Sequence, residues 1–243
     1  VAVIIPAYNH AHFLSAALES VLRQTHPAAE IIVVDDGSRD QPERIVAEFP
    51  RVRIIRQDNA GLAAARNAGA NASSAPFLLF LDADDQLKPN CIELGLELLR
   101  RDPDAAFSYG AYELVYATGE RRAAQFLAVP RMAFAQFLNT NPIGMHGTVL
   151  YRRAPLEAAG GFRAGLPACE DYDLYLRLAQ DHPILCREEI LAEYWHHDAN
   201  MSRDPAFMLR WCLHVLNARK SDAEAAGLTQ ELLAGKRWWR QHY

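Results

Sequence analysis

At 243 residues the chain can bury one large core or two small ones, and its 50% hydrophobic and 23% charged residues exclude a disordered protein. A net charge of −5 gives no global attraction for nucleic acid, and no run of about eighteen apolar residues is present to span a membrane. Cys91, Cys169, Cys186 and Cys212 show neither paired metal-ligand spacing nor the density of a disulfide framework, and read as reduced, mostly buried thiols of a cytoplasmic protein.

Val1-Ala2-Val3-Ile4-Ile5 is a continuous apolar run closed by Pro6, as in a strand buried on both faces. Residues 15–24 follow as a helix, with Ala17, Leu18, Val21 and Leu22 on one face. Strands are then expected at 31–34, 52–55 and 76–81, and helices at 41–49, 62–72 and 89–101. This alternation predicts an α/β fold, a Rossmann-like, mostly parallel central sheet flanked by helices, with ligands gathering beyond the carboxyl ends of the strands.

Past residue 101 the pattern changes. Strands at 107–117 and 125–129 flank a Thr118-Gly119 turn, a short helix covers 132–138, and a strand covers 148–152. A helix over 170–180, a strand at 190–195 and terminal helices at 207–218 and 223–234 complete a mixed α/β half with C-terminal helices. The chain thus divides into 1–103, 104–204 and 205–243, with no internal repeat or low-complexity segment. Lys236-Arg237-Trp238-Trp239-Arg240 reads first as an amphipathic helix end packing its tryptophans on the domain, and second as a contact with an anionic membrane surface.

Carboxylates at strand ends need a reason to be there. Pro6-Ala7-Tyr8-Asn9 leaves the first strand and Asp35-Asp36-Gly37-Ser38 the second, so both turns fall on one edge of a parallel sheet. There a planar base can stack on Tyr8 while Asp35 accepts its ring N–H; the plainer reading is a tight turn and helix cap. Gly61 to Gly69 is a helix of very small residues bearing one arginine, Arg66, which can approach the sheet closely and reach a phosphate or orient a carboxylate; the plainer reading is a surface ion pair.

Asp82-Ala83-Asp84 follows Phe77-Leu78-Leu79-Phe80-Leu81, so alternate carboxylates leave a buried strand pointing the same way. Such groups repel unless a cation or a donor network relieves them, and magnesium or manganese suits the site better than zinc. Glu170-Asp171 opens a helix whose inward stripe is Tyr172, Tyr175, Leu176 and Ala179. The helix dipole then favours an ionised Asp171, free to accept a proton at neutral pH, unless both are simply first-turn acids. His196 and His197 end a strand in tandem and face opposite ways, so at most one joins a site, to which Asn200 and Ser202 add polar groups.

Together these residues resemble the family-2 glycosyltransferases of the GT-A fold. The resemblance is carried by Val3 to Asn9, Glu30 to Ser38, Gly61 to Gly69, Phe80 to Asp85, Gly160-Gly161-Phe162 and Glu170 to Leu174, in that order. It implies transfer of a sugar from a nucleotide donor, commonly a UDP-sugar, to a hydroxyl of a carbohydrate, glycolipid or other acceptor, with inversion and with Mn2+ or Mg2+. By position, Pro6, Tyr8, Asn9, Asp35, Gly61, Arg66, Asp82 and Ala83 would hold the nucleotide, Asp35 reading the base and Asp82 the ribose side. Asp84 and His197 would hold the metal, and Asp171 would be the catalytic base with Glu170 beside it.

The same resemblance makes 1–103 the nucleotide-sugar half and 104–204 the acceptor half, in a cytoplasmic protein that works at the inner membrane face if its basic, aromatic end touches lipid. Arg163 stands where many relatives have an acid and Trp195 where many have arginine, so no arginine role passes to Trp195. Asn141 to Gly147 lies where an acceptor or sugar pocket is usually built, without giving His146 a task. A phosphatase-type hydrolase would place its Asp-x-Asp after the first strand, a nucleotidyltransferase needs a glycine-rich loop where Pro6 to His10 has none, and the Gly-x-Gly-x-x-Gly of nicotinamide enzymes is missing. The remaining rival is a catalytically inactive nucleotide-sugar-binding or partner protein of the same fold, against which intact Asp84 and Asp171 argue.

Overall fold

All six residues of β1 (Ala2–Ala7) are buried, and the strand lies inside a parallel ladder ordered β3 (Val52–Arg56), β2 (Glu30–Asp35), β1, β4 (Phe77–Phe80). The computed structural model describes residues 1–197, 200 and 203–243, and Ser202 lies outside them. Side chains of β1 alternate between two cores. Ile4 points to α3 (Leu62–Asn71), whereas Val3 and Ile5 point to α1 (Ala11–Leu22) and α4 (Cys91–Arg101). The small residues of α3 bring it close to the sheet: a Cβ on Gly69 would collide with Ile4 and meet Val34.

Beyond β4 the sheet turns mixed. β8 (Leu150–Arg152) runs antiparallel to β4 and to β6 (Phe107–Tyr116), and β9 (Ile184–His196) runs parallel to β6. The two-residue β5 (Gln86–Leu87) closes that edge against β9, and β7 (Arg121–Ala123) forms a hairpin with β6. Behind this half pack α5 (Phe134–Asn139), α6 (Arg153–Ala158), α7 (Glu170–Asp181), α8 (Pro205–Ala218), α9 (Lys220–Ala225) and α10 (Thr229–His242). Helix α2 (Pro42–Val46) links β2 to β3.

Several boundaries differ from the sequence pattern for identifiable reasons. β1 continues through Pro6, because the carbonyl of Ile4 accepts from Leu81 N–H at the end of the β1–β4 pairing. Pro6, two residues on, faces the same edge beyond the last pair, where its missing N–H costs no ladder bond. α1 starts at Ala11 rather than 15 because Asp40 accepts the Ala11 N–H at 2.8 Å. Residues 125–129 are not a strand: Tyr116 N–H bonds Glu120 O across a tight turn, and the hairpin is finished by Ala123. The expected terminal helix over 223–234 is two helices parted at Gly227, whose φ of +70° suits glycine.

α10 docks on α5, where a Cβ on Gly235 would collide with the Leu138 carbonyl. Its Trp239 is buried, tilted on Tyr172 and stacked on Tyr243 at 5.6 Å. The tryptophans of the closing segment therefore pack on the domain. Among the described residues no helix is long and apolar enough to cross a membrane.

Candidate functional site

The turns after β1 and β2 are laced together at the carboxyl edge of the parallel strands. Asn9, in the left-handed region at φ 57°, donates its N–H to Ser38 Oγ at 3.0 Å and accepts the Arg39 N–H on its side-chain oxygen at 2.9 Å. Asp35 is buried, accepts the Ser38 N–H at 2.8 Å and faces Arg56 Nε at 3.4 Å. Tyr8 stands out beside it with half its surface exposed, so an open aromatic face and a buried carboxylate share this corner. Sequence reasoning gave Asp36 no task, yet it accepts from Gln57 Nε2 (2.7 Å), Ala60 N (2.9 Å) and Gly61 N (2.9 Å) and so ties the loop before α3 to β2. Gly61 holds φ +89° with nothing within 4 Å of a Cβ position, so its backbone is open to a ligand.

The three carboxylates after β4 part to three different partners. β4 ends at Phe80 and residues 83–84 form a turn, so Asp82 and Asp84 do not emerge in strand alternation as the spacing suggests. Asp82 accepts from Arg66 Nη2 at 2.8 Å, Asp84 Oδ2 lies 2.9 Å from His197 Nε2, and Asp85 accepts the Trp195 N–H at 3.0 Å. Ala83 is buried in the turn between them. Burial, with Asp84 and Asp82 nearby, raises the Asp85 carboxyl well above the usual carboxylate range.

Arg66 is not a surface residue. It is 2% exposed, bonds Glu170 Oε1 through Nη1 as well as Asp82 through Nη2, and lies 5.4 Å over the Phe162 ring. Burial works against its charge, but Asp82, Glu170 and Asp171 outweigh burial and hold the guanidinium firmly protonated. Through this one side chain the acid cluster after β4 is joined to the start of α7.

The chain enters α7 through Cys169 at φ 62°, and Asp171 turns back to accept its neighbour's Tyr172 N–H at 2.7 Å. The helix terminus does not keep Asp171 at an ordinary carboxylate value. Burial, reinforced by Glu170, pushes it up to about 7 against the opposing pull of Arg66. His146 lies 3.9 Å from Asp171 Oδ2; it is buried, and burial with Arg66 nearby holds its imidazole well below the usual range, so it is neutral. Asp171 also lines a cavity of about 340 Å³ together with Asn141, Tyr172, Trp238 and Trp239. Neither His146 nor the tryptophans could be tied to the site by spacing, since their elements meet only through the tertiary fold.

His197 and His196 do face opposite ways. His196 tilts on Tyr116 at 5.3 Å, while His197 stacks on Phe13 of α1 at 4.7 Å and shares Asp84 with Asn200 Nδ2 (3.5 Å). Among the described residues no group of three or more His, Cys, Asp or Glu is gathered for a metal. One carboxylate oxygen and one imidazole nitrogen 2.9 Å apart nevertheless fit a divalent ion whose other positions go to phosphate oxygens and water. Arg163 lies 3.4 Å from fully buried Asp173, whose other oxygen bonds Arg177.

Residues 2–160 match the sequence profile described as glycosyl transferase family 2. The chain belongs to this family. It is 32% identical over 187 residues to the UDP-Glc:alpha-D-GlcNAc-diphosphoundecaprenol beta-1,3-glucosyltransferase WfgD of Escherichia coli, covering 76% of this chain and 71% of that one. Its fold is that of GT-A glycosyltransferases. The structure of S. aureus TarS 1-349 in complex with UDP-GlcNAc superposes with a TM-score of 0.73 at 18% identity, covering 96% of this family member and 71% of TarS. The mannosyltransferase PcManGT from Pyrobaculum calidifontis, in complex with GDP-Man and Mn2+, also gives 0.73 at 17% identity, over 98% and 69%. Three other curated relatives are longer, and the chain spans 35% to 62% of their length.

Proposed function

We propose that this family-2 glycosyltransferase transfers a sugar from a nucleoside diphosphate donor, a UDP-sugar by preference, to an acceptor hydroxyl in one inverting, metal-dependent step. Residues 1–103 hold the donor, 104–204 supply the acceptor side, and 205–243 close it. The carrying observation is Asp171, a carboxyl pushed up to about 7, at the wall of a cavity and joined through Glu170 and Arg66 to the acids after β4. A base poised near neutrality combines a useful ionised fraction with real affinity for a proton.

In this reading Tyr8 stacks on the base, and Asp35 accepts its ring N–H with a lone pair left over from Ser38. Pro6, Asn9, Gly61 and Ala83 shape the nucleotide-facing backbone, and Asp82 meets the ribose while Arg66 fixes its carboxylate. When bound, Mn2+ or Mg2+ held by Asp84 and His197 would offset charge developing on the diphosphate. Asp171 takes the acceptor hydroxyl's proton as the oxygen bonds to the anomeric carbon and the bond from that carbon to the phosphate oxygen breaks, the nucleoside diphosphate leaving from the opposite face. General-base help of this kind is worth about 10²- to 10⁴-fold in rate. UDP-GlcNAc and GDP-Man complexes of proteins sharing the fold, and a Mn2+ complex among them, support the donor class and the metal.

A thermal-shift panel of UDP, GDP, CDP and dTDP, with and without Mn2+, on the wild type and Asp84→Ala tests the proposal. A rise in melting temperature specific to one nucleotide, dependent on Mn2+ and lost in the variant, is expected. The absence of a shift with every nucleotide would overturn it.

A further inference from the structure

Cys169 occupies a strained place for a side chain. It opens α7 at φ 62°, in the left-handed region that glycine enters freely, and at the position where Ser, Thr, Asp or Asn would cap the helix. Its thiol makes no capping bond. It meets instead the thiol of Cys212 on α8, 43 residues onward, with the two sulfurs 3.4 Å apart. All four cysteines of the chain are free, and the other two approach backbone: Cys91 lies 4.0 Å from the Gly147 carbonyl oxygen and Cys186 3.9 Å from that of Val129. We propose that Cys169 and Cys212 are a redox pair, a dithiol that a peroxide closes to an intrachain disulfide, bracing the start of α7 against α8.

The geometry suits sulfur bonding to sulfur. A disulfide holds its sulfurs about 2.05 Å apart, so closure asks for about 1.4 Å of approach, on the scale of a side-chain rotation. Both residues line the cavity of about 340 Å³ at Asp171, which gives a small oxidant a route to sulfurs hidden from the outer surface. A metal would need more donors, and among the described residues no group of three or more His, Cys, Asp or Glu is gathered for one. In the oxidation, one thiol attacks a peroxide oxygen, the O–O bond breaks, and a sulfenic acid and one water form. The second sulfur then displaces the sulfenic hydroxyl as a second water and the S–S bond forms. Two thiols lose two electrons, one peroxide gains them, and both thiol protons leave in the waters.

The surroundings set the speed and the direction of this step. The bond to Cys212, burial, and the carboxylates of Asp171 and Glu170 push the Cys169 thiol far above its usual range. Thiolate is the attacking form, so the folded protein reacts slowly. The reduced pair also lacks the thiolate charge that stabilises the dithiol form of strongly oxidising pairs, so the disulfide is favoured once made. Asp171 follows Cys169 by two residues, and closure therefore acts on the turn that carries the proposed base. That consequence rests on the transferase reading; the pair itself does not.

Protein reduced with dithiothreitol and desalted is treated with hydrogen peroxide, and its intact mass, alkylation by iodoacetamide and non-reduced peptide map are read. The expected product is lighter by about 2 Da, has two of its four thiols blocked, and yields a linked Cys169–Cys212 peptide. It should melt at a higher temperature, because the cross-link restricts the unfolded chain, and dithiothreitol should reverse every change. Cys212→Ala and Cys169→Gly, the latter suited to φ 62°, should each lose the linkage, with melting curves confirming that they are folded. Oxidation confined to Cys186, the most accessible of the four, linkage that forms only in urea, or a melting temperature unchanged by linkage overturns the proposal. UDP with Mn2+ is titrated in parallel. UDP binding without linkage removes the redox pair and leaves the transferase reading standing; linkage without nucleotide binding keeps the pair and removes the transferase.

Discussion

Arg66 and Glu170, 104 residues apart, hydrogen-bond in the interior between α3 and the start of α7, with each side chain almost sealed from solvent. The second Arg66 nitrogen holds Asp82, so one guanidinium fixes the relative position of two acids, one in the loop after β4 and one at the start of α7. Arg66→Met should therefore lower stability by about 3–5 kcal/mol, because it leaves Glu170 charged, buried and unpaired. Combining it with Glu170→Leu should recover part of that loss. Urea unfolding of the two single variants and the double variant measures the coupling, and additive losses would show that the pair does not act as a unit.

Much of this arrangement was legible in the sequence because it is local. Apolar runs ending in Asp35 and Asp82 mark strands whose carboxyl ends must share an edge, and the small residues of 61–69 announce a helix pressed on the sheet. What the sequence did not show is how far apart the partners start. A surface ion pair stayed open as the plainer reading of Arg66, since nothing near it in the chain reveals Glu170. Asp36 looked like a turn residue because its three donors lie 21 to 25 positions onward. The spacing of 125–129 suggested a strand, but a tighter hairpin took the available edge of β6 first.

The Asp171 carboxyl, pushed up to about 7, has consequences of opposite sign for activity and stability. Only the ionised form accepts a proton, so kcat/KM should rise with pH to a plateau above about pH 7. The folded value exceeds the unfolded one, so the folded state binds the extra proton between about pH 4 and 7, and stability falls as pH rises through that window. Asp171→Asn keeps the acceptor for Tyr172 N–H. It should lose activity yet gain on the order of 1–3 kcal/mol at pH 8, with the gain vanishing near pH 4. Melting curves across pH decide this; a constant difference between the proteins would remove burial of the charge as its cause.

Asp36 anchors the loop leading to Gly61 through three hydrogen bonds accepted by one buried carboxylate. Asp36→Ala strands the N–H groups of Ala60 and Gly61 and should cost about 2–4 kcal/mol, with bonds to a charged group at the upper end of the usual scale. Because Gly61 opens α3 and its backbone faces the proposed nucleotide, UDP affinity should fall as well. Ligand titration at a temperature where the variant is still folded separates the two effects. Unchanged UDP affinity would mean that the loop holds its shape without Asp36.

The aromatic wall beside Asp171 depends on how closely α10 approaches α5, and that approach is set at Gly235. A methyl group there collides with the Leu138 carbonyl, a backbone atom that cannot rotate aside. Gly235→Ala should therefore push α10 outward, costing about 1–3 kcal/mol by overpacking even though alanine is the better helix former. Trp239, now buried, would gain solvent contact as the helix shifts. Acrylamide quenching of tryptophan emission reads this directly: stronger quenching with a lowered melting temperature is the expected result, and unchanged quenching would show that the α5 backbone yields instead. Gly227→Ala provides the comparison, since its strain lies in a left-handed turn with no neighbour within 4 Å and should reduce stability without opening the wall.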